Sequence, residues 1–295
     1  YRAIDVSNPA HPRELGRWWY PGTEERDEAP PPPRHPKFDT GIRAHNTNVY
    51  PERPDRAYVG YIDGGAVVLD ISDKAHPGLV ANWRYSPPFN GFTHTVLPLF
   101  ERELLVVSDE CIQDGGGDWP KLVWVLDNRL ETNPVPIATL PAPPRDAFVR
   151  RGGRFGAHNL HENLPVPTSW RSESIVVGTF FNAGVRAYDL ANPYQPQEIA
   201  YYVPAAPPLA PTGAVQLNDV YVDDRRIVFT VDRHVGGLYV LEMTVCARAS
   251  RWPRRRATRS PRASPSRSSR ASWAAGRPRS WESSCAIPAW TAPPS

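Results

Sequence analysis

Residues 56–77 read RAYVGYIDGGAVVLDISDKAHP. Ala57–Ile62 and Ala66–Ile71 are apolar and rich in β-branched and aromatic residues, and Gly64-Gly65 stands between them. That is the composition of two strands joined by a tight turn. A polar exit follows and closes on Pro77. The chain keeps returning to this layout. SIVVGTFFNAGVRAYDLANPYQP (Ser174–Pro196) turns at Asn182-Ala183-Gly184 and ends its second strand on Asp189, while RIVFTVDRHVGGLYVLEM (Arg226–Met243) turns at Gly236-Gly237. ELLVVSDE (Glu103–Glu110) and KLVWVLDNRLETNP (Lys121–Pro134) form a further copy with a glycine- and acid-rich insertion in the turn. The opening YRAIDVSNPAHP is the tail end of one more. The acidic exits Asp5, Asp70, Asp127 and Asp189 recur 65, 57 and 62 residues apart.

Each unit supplies three or four short strands, which cannot bury both faces alone. Units stacked side by side around an axis do bury them. The sequence therefore predicts an all-β, β-propeller-like fold over residues 1–245, with four complete blades plus a partial N-terminal blade. Blade two runs from Gly41 to Tyr85, blade three starts near Phe92, blade four runs from Gly156 to Tyr202, and blade five from Gln216 to Val245. Residues 13–40 read as an outer strand at Gly16–Tyr20 and a long proline-rich, acidic loop. A β-solenoid is the competing geometry, with shorter repeats of roughly 20–30 residues. Propellers carry about six to eight blades, so four and a half blades of about 60 residues predict a fragment of a larger propeller. Such an open ring leaves two unpaired blade faces and is expected to associate.

Hydrophobic residues make up 40% of the chain, enough for a real core. No apolar run approaches the roughly 18 residues of a membrane helix, so no membrane span is expected. The net charge of +3 hides two populations. Residues 247–295 carry eleven Arg and one acid, Glu282, which leaves the first 246 residues at −7. The segment 246–295 is an Arg/Ser/Pro-rich tail too poor in apolar residues to fold. Its vocabulary is that of a GC-rich gene translated out of frame, and a frameshift product is the reading adopted. The alternative is a basic nucleic-acid-binding arm; without it, no nucleic-acid partner is expected. Cys111, Cys246 and Cys285 share no metal or redox spacing.

The recurring AVVLDISDKAHP, GVRAYDLANPYQP and RAIDVSNPAHP resemble the LVIVD-repeat family of β-propellers over residues 1–245. The resemblance implies a bacterial protein that is extracytoplasmic or at the cell surface, and a binding or scaffold propeller presenting rim loops to a protein or small-molecule ligand. More distantly the chain is similar to the selenium-binding protein and methanethiol oxidase propellers, in its His-bearing strand starts. That similarity implies the alternative, a metal-dependent oxidoreductase with a histidine-bound metal near the axis.

Residues at one repeat position face one central funnel. Aligned on Val-Tyr-Pro, Val-Leu-Pro, Asn-Leu-Pro and Val-Tyr-Val, the blade openings place Thr47, His94, His161 and Asn218 in one column. His45 and His158 lie just upstream, and Glu162 and Asp219 follow. His45, His94, His158, His161 and Glu162 are therefore the candidate ligands of a transition metal (copper, iron or zinc), nitrogen/oxygen donors that suit these ions. The structural alternative is that these polar side chains hydrogen-bond neighbouring backbones and hold blade to blade. HNLHE is not the zincin pattern, because its Glu lies outside the His pair. Asp109, Glu110, Asp114 and Asp118 surround Gly115-Gly116-Gly117 and read as a Ca²⁺-competent or, in the reading preferred, solvated turn. Cys111 beside these acids is no nucleophile, since negative charge disfavours the thiolate. Hydrolase, nucleotidase and dinucleotide signatures are missing.

Overall fold

The structure is a computed structural model that describes residues 1–244; the tail at 246–295 lies outside the described residues. The described chain folds as an antiparallel all-β propeller. The partial first blade is β1 (Arg2–Asp5) paired with β2 (Arg13–Arg17). Blade two comprises β3 (Ile42–Tyr50), β4 (Arg53–Ile62), β5 (Ala66–Asp70) and β6 (Gly78–Trp83), and blade three β7 (Thr93–Leu99), β8 (Leu104–Asp109), β9 (Val123–Asp127) and β10 (Val135–Thr139). Blade four has β11 (Ile175–Thr179), β12 (Val185–Asp189) and β13 (Gln197–Tyr202), and blade five β14 (Leu217–Val222), β15 (Ile227–Asp232) and β16 (Leu238–Glu242). Of the four blades expected to be complete, two thus have four strands and two have three. In blade four the inner edge is an irregular segment that meets β11 through one Leu160–Gly178 bridge and scattered backbone hydrogen bonds. No helix among the described residues is long and apolar enough to cross a membrane.

The core lies between blades, as the both-faces-buried reading of Ala57–Ile62 requires. Tyr58 and Val68 of blade two meet Val96 and Val107 of blade three. Leu97 and Val125 of blade three meet Val176 and Tyr188 of blade four. Val177 and Val185 meet Leu217, Val228 and Leu241 of blade five. Each fully buried Val or Leu in these layers contributes about 1.5–3 kcal/mol relative to an exposed one. The outer strand expected at Gly16–Tyr20 ends instead at Arg17, because the chain then turns to pack Trp18 and Tyr20 on Tyr61, with centroids 5.4 and 6.0 Å away.

The acidic exits have one cause. Asp5, Asp70, Asp127 and Asp189 each accept the backbone N–H two residues on, at 2.9, 2.9, 3.0 and 2.7 Å. This Asx geometry turns the chain sharply out of each strand.

Candidate metal centre on the propeller axis

Backbone pairing decides which residues share a level along the axis. In the four blades the hairpins are registered by Tyr61 N–H to Gly65 O, Asp109 N–H to Leu122 O, Phe180 N–H to Gly184 O and Asp232 N–H to Gly237 O. One residue earlier on those strands, Gly60 faces Asn46, Ser108 faces Thr95, Thr179 bonds Asn159, and Val231 faces Asp219. The preceding inner residues are His45, His94, His158 and Asn218. That is the true column. The landmark alignment that gave Thr47, His94, His161 and Asn218 slips because the inner strands carry register shifts at this place, between Ile42 and Asn46, Thr93 and Thr95, and Leu217 and Asp219. A bulge leaves one residue unpaired and re-aims its side chain. Here the shifts bracket His45, His94 and Asn218.

The imidazoles line up as an arc. The His45 and His94 rings lie 4.4 Å apart, and His94 and His158 4.6 Å apart. His158 donates Nδ1–H to the Asn218 carbonyl at 2.6 Å, leaving the Nε2 lone pair free toward Glu110, 3.6 Å away. His94 Nδ1 is held by the Thr95 hydroxyl at 2.8 Å. Burial drives the His94 pKa down to about 2, helped by the neighbouring His158 and His45, and drives that of His158 down to about 3. His45 is lowered by partial burial and by Arg43. These imidazoles are neutral at neutral pH, the form that ligates.

A second level comes from the residue after each of the registering positions Tyr61, Asp109, Phe180 and Asp232: Ile62, Glu110, Phe181 and Arg233. Glu110 Oε2 lies 4.0 Å from His45 Nε2, and one donor atom each of His45, His94 and Glu110 lies within 4.8 Å of the other two. Glu110 Oε1 accepts Arg154 Nη1–H at 3.0 Å. Burial raises the Glu110 pKa against the pull of Arg154, Arg233 and Lys121.

His161 and Glu162, the other expected ligands, are held elsewhere. His161 accepts Val222 N–H of blade five at Nδ1 (3.1 Å) and donates Nε2–H to Trp170 O of its own blade (2.6 Å), so both nitrogens are occupied by backbone. Glu162 accepts from the amides of Asn46 and, at 3.1 Å, Asn48, bridging blade four to blade two. The acid cluster of blade three also disperses. Asp109 takes the Tyr85 hydroxyl, Leu122 N–H and Trp124 Nε1–H, and Asp118 takes Ile112 N–H at 2.8 Å with Lys121 Nζ at 3.4 Å. Cys111 is buried, and burial with Asp118 pushes its thiol up, away from reactivity. Glu110 is the candidate donor that sequence reasoning grouped with the acids of the turn instead of with the histidines. Its shared repeat position with Ile62, Phe181 and Arg233 was the available signal.

A cleft of about 500 Å³ opens on His45 and His94 and runs along the inner strands past Glu162, Asp219 and Tyr221. Its size is that of a small-molecule site.

The family description LVIVD repeat matches residues 3–18 and 55–84, so the chain carries LVIVD repeats in its first two blades. No curated protein matches the chain. Among solved structures, the β-propeller domain of Cps50 (Swd1) from Myceliophteria thermophila aligns with a TM-score of 0.50 at 10% identity, covering 82% of this chain and 64% of that one. The chain therefore spans less than two thirds of that propeller domain's length, and the likeness is one of fold. The computationally designed Ika4 protein aligns at TM-score 0.39 and 13% identity, over 68% of this chain and 90% of that one. A hypothetical selenium-binding protein from Sulfolobus tokodaii aligns at 0.33 and 14%, over 81% and 71%.

Proposed function

We propose that this LVIVD-repeat propeller is a binding scaffold whose ligand site lies on the axis, and that the site is built on one transition metal (copper, iron or zinc) held by His45, His94 and Glu110, with His158 beside them. The observation that carries this is the convergence of three donors from two adjacent blades within 4.8 Å. Donors about 2.1 Å from one tetrahedral ion lie about 3.4 Å apart, so the 4.0 Å between His45 and Glu110 closes with a small side-chain shift. The His158 bond to a backbone carbonyl supports the reading, because ligating histidines are oriented in that way through their second nitrogen. Mixed nitrogen and carboxylate donors suit these ions.

A second reading, redox catalysis at the same ion, draws on the cleft, which gives a small substrate access to His45 and His94. The two readings share one test. Metal content of the purified full chain is measured beside His94→Ala and His161→Ala variants. About one equivalent is expected in the parent, lost in His94→Ala and kept in His161→Ala, since two backbone bonds occupy both His161 nitrogens. Parent protein that melts cooperatively yet holds no metal, even after exposure to copper or zinc, would reduce the histidine arc to a hydrogen-bonded core.

A further inference from the structure

Two guanidinium groups converge on the metal-proposed centre and share one carboxylate. Arg154 and Arg233 lie over the ring of Phe181, with Cζ 5.4 and 5.5 Å from its centroid. Both reach toward Glu110 Oε1, Arg154 at 3.0 Å and Arg233 at only 4.0 Å. Among the described residues, Glu110 is the one carboxylate that either cation meets within ion-pair distance. Asp232, next to Arg233, is already taken by the N–H groups of Gln216 (2.6 Å) and Gly236 (2.7 Å). Two guanidinium groups thus face a single carboxylate at this level. Both arginine side chains remain partly open, 26% and 32% exposed, so their donor edges are reachable from solvent.

A planar guanidinium carries five donors, and one long contact to a shared oxygen leaves most of those on Arg233 unused. Phe181 meets both groups, and these cation–π contacts help hold them near one another. The register also polarises the axis. The arginine level lies at the Ile62 end of the inner hairpins, and Glu162 and Asp219 lie on the far side of the histidine arc.

We propose that the axial site takes a small molecule bearing an oxyanion, a carboxylate or phosphate group, gripped by Arg154 and Arg233. The proposal deepens the metal reading by naming the ligand class, but its charge argument holds without the ion.

The test separates the two. Titrations of inorganic phosphate and of acetate into the full chain are followed calorimetrically at low ionic strength, once as purified and once after chelator treatment. Saturable binding of one or both anions, with Kd near or below about 1 mM, is expected in both preparations. Preference for phosphate or for acetate then identifies which group the natural ligand carries. Arg233→Gln is expected to weaken binding by about tenfold, the effect of losing one charge-assisted contact. Glu110→Gln should act in the opposite direction, strengthening anion binding in chelated protein while removing a metal ligand. That opposite sign cannot come from misfolding. Anion binding that survives chelation while no metal is found would sink the metal reading and keep this one. Metal binding with no saturable uptake of either anion up to about 20 mM, or with equal uptake in Arg233→Gln, would overturn the oxyanion proposal.

Discussion

Tyr188 sits fully buried between blades three and four, and its hydroxyl meets no hydrogen-bond partner among the described residues. An unsatisfied buried hydroxyl costs about 1–3 kcal/mol of desolvation, so removing it relieves a penalty. Tyr188→Phe is expected to leave stability unchanged or raise it by up to about 1 kcal/mol in urea unfolding. Tyr50 is the matched contrast, because its hydroxyl donates to the Glu162 carbonyl at 2.7 Å and joins blade two to blade four. Tyr50→Phe should lose about 1 kcal/mol. A Tyr188→Phe protein as destabilised as Tyr50→Phe would show that its hydroxyl is bonded after all. At this scale the sequence is a partial guide. His45, His94 and His158 stand out as imidazoles at blade openings, and they do meet. His161 stands out equally, yet backbone groups of its own and the next blade consume it. Residue type announces a donor, and only the local register shows where it points. Glu110 was hidden for the same reason, since its glycine-rich context suggests a loop while its place one step past a strand end turns it to the axis.

The hairpin turn is the element most legible in the sequence. Gly65 and Gly184 occupy the same repeat position, with φ of +85° and +84°, and a Cβ on either would overlap a carbonyl oxygen, of Trp83 and Tyr202 respectively. Gly237 has a similar φ of +72°, but open space surrounds its Cβ direction. The repeat alone makes the three look interchangeable. Packing separates them. Replacing Gly237 with Ala should cost only the left-handed backbone penalty, about 1 kcal/mol. Gly65→Ala and Gly184→Ala add a clash with backbone that cannot rotate away, and each is expected to cost at least about 2–3 kcal/mol. Urea denaturation of the three variants side by side decides the matter, and equal losses at all three positions would refute the packing argument. The exit turns were legible as recurring Asp residues, although their Asx bonding was not. The inner strand of blade four was the least legible element, because AHNLHE pairs by scattered bonds rather than as a ladder. No apolar alternation marks such a segment.

Across the molecule, burial falls away at both ends of the blade series. In blade five, Val228 and Leu241 pack against blade four. The opposite face presents Leu238 and Val240, 61% and 45% exposed, beside Val231. At the other end Ile4, 46% exposed, lies beside Val6 and Leu15 on the partial first blade. Interior blades show what these faces are shaped for, since every interface from blade two to blade five buries apolar side chains on both of its sides. The repeat pattern in the sequence foretells this, because each strand pair is written with two apolar faces whatever its place in the series. Contiguous apolar surface beside unpaired strand edges drives association. The full chain is therefore expected to self-associate as concentration rises, read by light scattering coupled to size exclusion. Leu238→Lys combined with Val240→Lys should shift it toward monomer, because two charges on that face must be desolvated in any contact. The same double variant should leave the melting temperature nearly unchanged, as neither side chain contributes to a packed interface within the described residues. A parent chain that stays monomeric at every concentration while melting cooperatively would mean that these faces are covered in solution. Association that persists undiminished in the double variant would move the contact to the Ile4 end, where Ile4→Lys tests it in the same way.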